Sequence, residues 1–160
     1  MSIYKVLNSA GKYHDKNSLR DVLSYVLRPC KAFHQFTGGS HVDMNDPASS
    51  MDAVAAKYKK EKGVRLRHFV LSFTKHEVDD PKKAEEIGAC IIACIGEEYQ
   101  AVYAVHEDSN EYHLHVVFNT VSYVDGHKYR GSKAEYWDEI YAMRNILYNF
   151  GIKKMIPRKK

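Results

Sequence analysis

The sequence predicts an α+β domain with a mainly antiparallel central sheet and helices packed on one side of it. Short β-rich segments alternate with segments of helical spacing along the 160 residues. Two β-rich segments, 99–106 and 112–123, are separated only by a polar turn, which predicts a hairpin and hence an antiparallel pair. We expect one domain over residues 1–160, because the chain is long enough to bury its own core and shows no internal repeat or linker.

Capping residues and hydrophobic spacing place the other elements in order along the chain. Strands are predicted over 3–7 and 65–74, with a looser extended segment over 33–42. Helices are predicted over 19–27, from Pro47 to about residue 61, from Pro81 to about residue 97, and after Ser132. Proline suits the first turn of a helix and serine is a common N-cap, whereas Pro29 and Gly63 mark the ends of the first two helices.

The composition is that of an ordinary globular protein with a mild basic bias. The formal net charge is +4 and the pI is about 8.8, values that suit a polyanionic partner but are common in proteins that bind none. Cys90 and Cys94 lie four residues apart in an apolar stretch, where we expect them to pack as small hydrophobic residues in a buried helix. Since the sequence has no disulfide framework, signal peptide or membrane-spanning stretch, we expect a reducing, cytoplasmic location and no membrane partner.

The hairpin carries three histidines that are predicted to converge. Residues i and i+2 of a strand share a face and lie roughly 7 Å apart, so His113 and His115 project together. The polar turn 108–110 brings the chain back and places His106 beside His113. Three converging imidazoles leave open positions for water or a phosphate oxygen, as metal-assisted chemistry requires. The pattern therefore predicts a divalent metal site at these three histidines.

Tyr25 is an unusual residue of the first predicted helix. The apolar stripe of this helix is formed by Leu19, Val22, Leu23, Val26 and Leu27. At roughly 100° per residue, Tyr25 lies about 130° from the centre of that stripe, so packing onto the sheet does not explain it. A phenol beside a metal site can attack a phosphodiester, because the metal stabilises the developing charge. The alternative is an ordinary surface tyrosine.

These features together resemble the relaxases of the HUH endonuclease superfamily, in particular the mobilisation-protein relaxases of plasmids and integrative conjugative elements. The name HUH denotes His-hydrophobic-His, which is similar to His113-Leu114-His115 here. The family's third motif has the form H-x-D, then H-x-H and a downstream asparagine. This sequence matches it with His106, Asp108, His113, His115 and Asn119.

The first and second motifs of the family also have counterparts. The first carries the nucleophilic tyrosine in a setting similar to Tyr25-Val-Leu-Arg-Pro29, with Lys31 shortly after. The segment 68–73, His-Phe-Val-Leu-Ser-Phe, is similar to the strand that bears the second motif. The resemblance covers essentially the whole chain, from about residue 3 to 152. Relatives usually continue into helicase, primase or DNA-binding regions, so the chain is expected to be an excised or a minimal N-terminal nuclease domain.

The resemblance implies site- and strand-specific nicking of DNA at an origin of transfer, assisted by accessory proteins of the relaxosome. Mg²⁺ or Mn²⁺ would bind the scissile phosphate, although imidazole ligands favour Zn²⁺ or Ni²⁺ as the metal found bound. Tyr25 would become linked to the 5′ phosphate, and Asp108 would orient a histidine ligand. Single-stranded DNA would lie in a basic groove with its bases stacked on aromatic rings. The candidate DNA-contacting residues are Lys31, Arg65, Arg67, Asn119, Lys128 and Arg130.

One departure from the family pattern concerns the metal site. Many relatives have a further histidine between the H-x-D and H-x-H elements, where this chain has Glu111 and Tyr112. The departure removes none of the predicted ligands, but it leaves room for Glu107 or Glu111 to join them.

Other functions remain as alternatives. Rolling-circle replication initiators and transposases share the HUH site but usually place the tyrosine after it, so a nucleophile at Tyr129, Tyr136 or Tyr141 would favour them. Tyr13 is the nearest competitor that precedes the histidines. A non-enzymatic nucleic-acid-binding module is less favoured, because structural zinc sites have four ligands and usually use thiolates. A hydrolase that activates water would not need Tyr25.

Overall fold

The computed structural model describes residues 1–7, 12–28 and 32–158 and shows the expected α+β architecture. Within these ranges the strands are β1 (Ser2–Leu7), β2 (Ala32–Ser40), β3 (Leu66–Thr74), β4 (Ala101–Glu107), β5 (Glu111–Asn119) and β6 (Met155–Arg158). The helices are α1 (Ser18–Val26), α2 (Pro47–Lys57), α3 (Pro81–Ile95) and α4 (Lys133–Asn149), with a short 3₁₀ turn at Lys12–His14. None of these helices is both long and apolar enough to cross a bilayer.

The strands form one sheet in the order β2-β4-β5-β3-β1-β6, which confirms the mainly antiparallel prediction. Every neighbouring pair is antiparallel except β1 and β6, which run parallel. The hairpin of β4 and β5 has the expected register, with His106 directly opposite His113. β6 was not predicted from the sequence, because its short run lies in a lysine-rich segment and only Met155 is buried.

Helices cover both faces of the sheet, so the prediction that they pack on one side was wrong. On one face, α3 and α4 pack against alternate strand residues such as Phe69 and Leu114. On the other face, α1 and α2 pack against Leu66, Val102 and Val117. The physical reason is visible in β4, where six consecutive residues from 101 to 106 are buried. A strand buried on both sides has a continuous apolar run instead of an alternating one.

Some boundaries and one burial prediction also differ. α2 ends at Lys57, and Gly63 adopts its positive φ of 80° in the later turn instead of ending the helix. β5 ends at Asn119, whose side-chain oxygen accepts a hydrogen bond from the backbone of Val121 at 3.1 Å. Cys90 and Cys94 are exposed. They lie on the outer face of α3, whose buried stripe is Ala84, Ile87, Gly88, Ile91 and Ile92.

A buried carboxylate connects α4 to the sheet. Glu139 forms an ion pair with Arg67 of β3 at 3.1 Å, and the two side chains are 7% and 14% exposed. The same carboxylate accepts hydrogen bonds from the hydroxyl groups of Tyr129, at 2.5 Å, and of Tyr4. Burial, followed by the nearby Glu139, raises the pKa of both phenols far above the usual value, so they remain donors. One acidic side chain thus joins four segments of the chain.

Replacing Glu139 by Ala should lower the free energy of unfolding by about 3–5 kcal/mol, because Arg67 would be left buried and unpaired. Urea unfolding followed by circular dichroism measures this change. Asp138→Ala is the matched control: it removes an exposed carboxylate from the same helix and should change stability by no more than about 0.5 kcal/mol. Similar stability losses in the two variants would contradict the role given to Glu139.

Candidate active site

The three predicted histidine ligands lie on the sheet face that α1 and α2 cover. His113 and His115 alternate with Tyr112, Leu114 and Val116, whose side chains belong to the core on the opposite face. His106 and His115 are 5% and 7% exposed, and their ring centroids are 4.1 Å apart. The predicted common face of these histidines is therefore confirmed.

His106 is held by the end of α1. Its Nε2 lies 2.7 Å from the carbonyl oxygen of Val26, and because a carbonyl only accepts, Nε2 carries the proton in this arrangement. A metal ion bound through Nε2 would have to replace this hydrogen bond. The contact also fixes the last turn of α1 over the hairpin, which determines where the neighbouring Tyr25 lies.

His113 lies between a hydroxyl group and a carboxylate. Its Nδ1 is 2.8 Å from Ser72 Oγ, and its Nε2 is 2.7 Å from Asp108 Oδ2. Asp108 is itself fixed, because its other oxygen accepts hydrogen bonds from the backbone N–H groups of Asn110 and Glu111, both at 2.9 Å. These hydrogen bonds, the one from His113 first, lower the pKa of Asp108 to about 2, so the carboxylate is ionised at neutral pH.

His115 contacts a fourth histidine that the sequence reasoning did not assign to the site. His68 of β3 places its Nε2 2.9 Å from His115 Nδ1, and its own Nδ1 lies 3.3 Å from the hydroxyl of Tyr13. Burial, followed by the charge of His106, lowers the pKa of His115 to about 2 and that of His68 to about 4. Both imidazoles are therefore neutral at pH 7, the form in which histidine binds a metal.

Two supporting residues, His68 and Ser72, lie on one face of β3. They are four residues apart in a strand, so they share a face, and the antiparallel pairing of β3 with β5 places them beside the HUH histidines. Identifying them would have required the strand order, because the hairpin alone does not show which strand lies next to β5.

The donor chemistry of this region fits a divalent cation. Among the described residues, Asp108, Glu111 and His113 form a group whose ligand atoms lie within 4.8 Å of one another. Carboxylate oxygens suit Mg²⁺ and Mn²⁺, whereas imidazoles alone favour Zn²⁺ or Ni²⁺. Glu111 is one of the two acids for which the sequence left room, whereas Glu107 pairs with Lys75 at 2.6 Å.

Tyr25 lies against the histidines although more than 80 positions separate it from them in the chain. Its ring is 44% exposed, and it meets the rings of His106 and His115 edge-on, at centroid distances of 6.2 and 6.3 Å. The competing Tyr13 is 7% exposed, and its hydroxyl group contacts His68. Tyr25 therefore combines access to solvent with contact to two of the predicted ligands.

The candidate DNA-contacting residues fall into two groups. Arg65 and Arg130 lie near Lys128, and after burial their positive charges lower the pKa of its amine. Arg65 also pairs with Asp52 of α2 at 2.6 Å, and Lys128 donates to the carbonyl of Lys62. These cations lie near the end of β5 that is distant from the hairpin turn.

The remaining DNA candidates lie elsewhere. Arg67 points to the α4 side of the sheet and pairs with Glu139. Asn119 is 1% exposed, and its amide nitrogen donates to the carbonyl of Met51 at 3.1 Å and to Gln100 at 3.0 Å. Lys31, together with Pro29 of the first motif, lies outside the described residues. The structure thus groups three of the six candidates.

Comparisons with known proteins identify the family to which the chain belongs. Two Staphylococcus aureus proteins named rlx are 32% and 29% identical to the chain over 97 residues, which is 61% of this chain and 30% of each relative. MobA of Acidithiobacillus ferrooxidans is 33% identical over 57 residues, or 35% of this chain and 14% of that protein. The chain therefore spans less than a third of the length of these relatives. A family model described as the nuclease domain of MobA/VirD2-like relaxases matches residues 25–152. With that match over most of its length, the chain belongs to the MobA/VirD2-like relaxase family.

Proposed function

We propose that this domain nicks one strand of DNA at an origin of transfer through a covalent bond to Tyr25, in cooperation with accessory proteins of a relaxosome. The observation that carries the proposal is the contact of a half-exposed Tyr25 with His106 and His115. A residue of α1 and two residues of the hairpin meet at one point on the surface. Membership of the relaxase family gives the reaction class.

The reaction is a transesterification in which Tyr25 is the nucleophile. The Tyr25 oxygen bonds to phosphorus and the bond from phosphorus to the 3′ oxygen breaks; the phenol loses a proton and the 3′ oxygen gains one. A divalent ion held by His106, His113 and His115, with Asp108 and Glu111 beside it, would neutralise charge on the phosphate. Ser72 holds His113 through Nδ1 and Asp108 lies at its Nε2, so the ion would replace one of these two hydrogen bonds while the other orients the ring. The exposure of Tyr25 leaves its phenol open to the DNA.

The positions of the later tyrosines favour a relaxase over a replication initiator or transposase. Tyr129 and Tyr136 pack with the core on the α4 side of the sheet, and Tyr129 donates to Glu139. Tyr141 is exposed on α4, where its ring lies 6.3 Å from that of Trp137. All three lie on the face opposite the histidines, so they are poorly placed to replace Tyr25.

Tyr25→Phe should abolish the covalent adduct and nicking while leaving metal and DNA binding in place. The change removes one hydroxyl from a half-exposed ring, so stability should change by less than about 0.5 kcal/mol. The assay uses a labelled single-stranded origin oligonucleotide with Mn²⁺ and detects a denaturation-resistant adduct. Tyr141→Phe removes an exposed phenol from the opposite face and should behave as the wild type. A nucleotide mapped to Tyr13 or to a tyrosine after residue 119 would refute the assignment.

Replacing both His113 and His115 by Ala should eliminate divalent metal binding and cleavage, and His106→Ala should be similarly severe. Asp108→Ala should weaken metal affinity less, by about 10–100-fold, because its carboxylate acts by orienting His113. Calorimetric titration with Mn²⁺ measures the affinity, and circular dichroism verifies the fold. His76→Ala, at an exposed histidine outside the cluster, is the control. Unchanged affinity in the double variant would remove the metal site from the proposal.

Binding to single-stranded DNA should weaken steeply between low and physiological salt, because phosphate contacts release counterions. Single strands should bind more tightly than blunt duplex, since stacking on aromatic rings needs unpaired bases. Lys128→Gln and Arg130→Gln should each lower the slope of log K against log salt by about 0.7. Lys82→Gln, on α3 at the opposite face, should leave the slope unchanged. Equal effects of the three substitutions would contradict a DNA path over Lys128 and Arg130.

A further inference from the structure

We propose that His68, with Tyr13 behind it, accepts the Nδ1 proton of His115 when a metal binds and thereby orients His115 Nε2 as the metal-binding atom. This inference rests on the metal-dependent function proposed above. It assigns a role to His68 and Tyr13, two side chains outside the HUH motif. The evidence is a continuous buried series of contacts. Tyr13 Oη lies 3.3 Å from His68 Nδ1, and His68 Nε2 lies 2.9 Å from His115 Nδ1.

The series is rigidly positioned. His68 is 2% exposed and Tyr13 is 7% exposed. Tyr13 is also held through its backbone, because its carbonyl accepts a hydrogen bond from the N–H of Arg65 at 2.8 Å. β3 therefore supplies an orienting group for each HUH histidine, His68 for His115 and Ser72 for His113.

Only one proton fits between the two facing ring nitrogens of His68 and His115. If His115 Nδ1 carries that proton, His115 Nε2 has a lone pair for a metal, and His68 holds its own proton on Nδ1 and donates it to Tyr13. If His68 Nε2 carries the proton, His115 is protonated on Nε2 and cannot bind a metal there, and Tyr13 must donate to His68. Metal binding through His115 Nε2 thus selects the first arrangement, in which Tyr13 accepts the hydrogen bond from His68.

The side chain at position 68 must therefore accept a hydrogen bond when the metal is bound. A glutamine can do so through its amide oxygen, whereas a phenylalanine of similar breadth cannot. His68→Phe should weaken Mn²⁺ and Zn²⁺ binding by about 10–100-fold, as loss of an orienting partner does in other metal sites. His68→Gln should recover most of the affinity, and Tyr13→Phe should cause a smaller loss.

The test combines calorimetry with Mn²⁺ and Zn²⁺ on the whole chain and nitrogen-15 NMR of the histidine rings with Zn²⁺ bound. His76→Phe, at an exposed histidine outside the series, is the matched control and should bind as the wild type. NMR should show His115 protonated on Nδ1 and coordinated through Nε2, and this result on the wild type decides the question even where His68→Phe fails to fold. Coordination through Nδ1, or full affinity in a folded His68→Phe variant, would overturn the inference alone. A wild-type chain that binds neither metal would overturn both the inference and the metal-dependent function.

Discussion

The structure depends on a sheet that is covered on both faces. Alternate residues of a strand point to opposite sides, so each strand residue is assigned to one of two buried layers. In β5 this rule sends Leu114 and Val116 to the layer of α3 and α4, and sends His113 and His115 to the layer of α1 and α2. The histidines are therefore placed beside helix α1 by the same pairing that builds the larger core. A shift of one residue in the register would exchange the two sets.

Burial of polar rings has a consequence for the layer that contains them. A buried imidazole needs hydrogen-bonding partners, and each of the four clustered histidines has at least one: Val26 for His106, His68 for His115, His115 and Tyr13 for His68, and Ser72 and Asp108 for His113. The partners come from α1, from the segment before it, from β3 and from the hairpin turn. His68 and His115 stay neutral without a cation, but an ion bound through Nε2 of His106 or His113 would have to replace the hydrogen bond that each atom makes to Val26 or Asp108.

Much of the fold and the centre of the site were predictable, because their signals are local. The hairpin and most helices were predicted from signals that lie within short segments. These signals are the period-two pattern, the polar turn and capping residues such as Asp80 and Ser132. The position of Tyr25 opposite an apolar stripe was likewise readable from one helix. The second layer of helices was missed because the prediction relied on the hairpin and its alternation, although the continuous apolar run of β4 indicates burial on both faces. The role of Glu139 was missed because its partners Arg67 and Tyr129 are distant in sequence. The exposure of Cys90 and Cys94 was missed because their segment is apolar on all sides, so the sequence does not show which face of α3 is buried.

Arg67 and His68 show that neighbouring residues of one strand can belong to different layers and have different roles. They are neighbours in β3, yet Arg67 pairs with Glu139 beneath α4 while His68 contacts His115 beneath α1. Sequence reasoning treated Arg67 as a DNA contact because it is basic and lies near Arg65, and did not assign His68 to the site. A positive charge alone does not identify a DNA contact here, because an arginine in a buried ion pair has its guanidinium bound to a carboxylate. The face of the strand is a better guide: residues on one face join the sheet to α4, and residues on the other face contact the clustered histidines beneath α1. Neighbouring positions of β3 therefore take different roles: Arg67 joins the sheet to α4, and His68 supports the histidine cluster beneath α1.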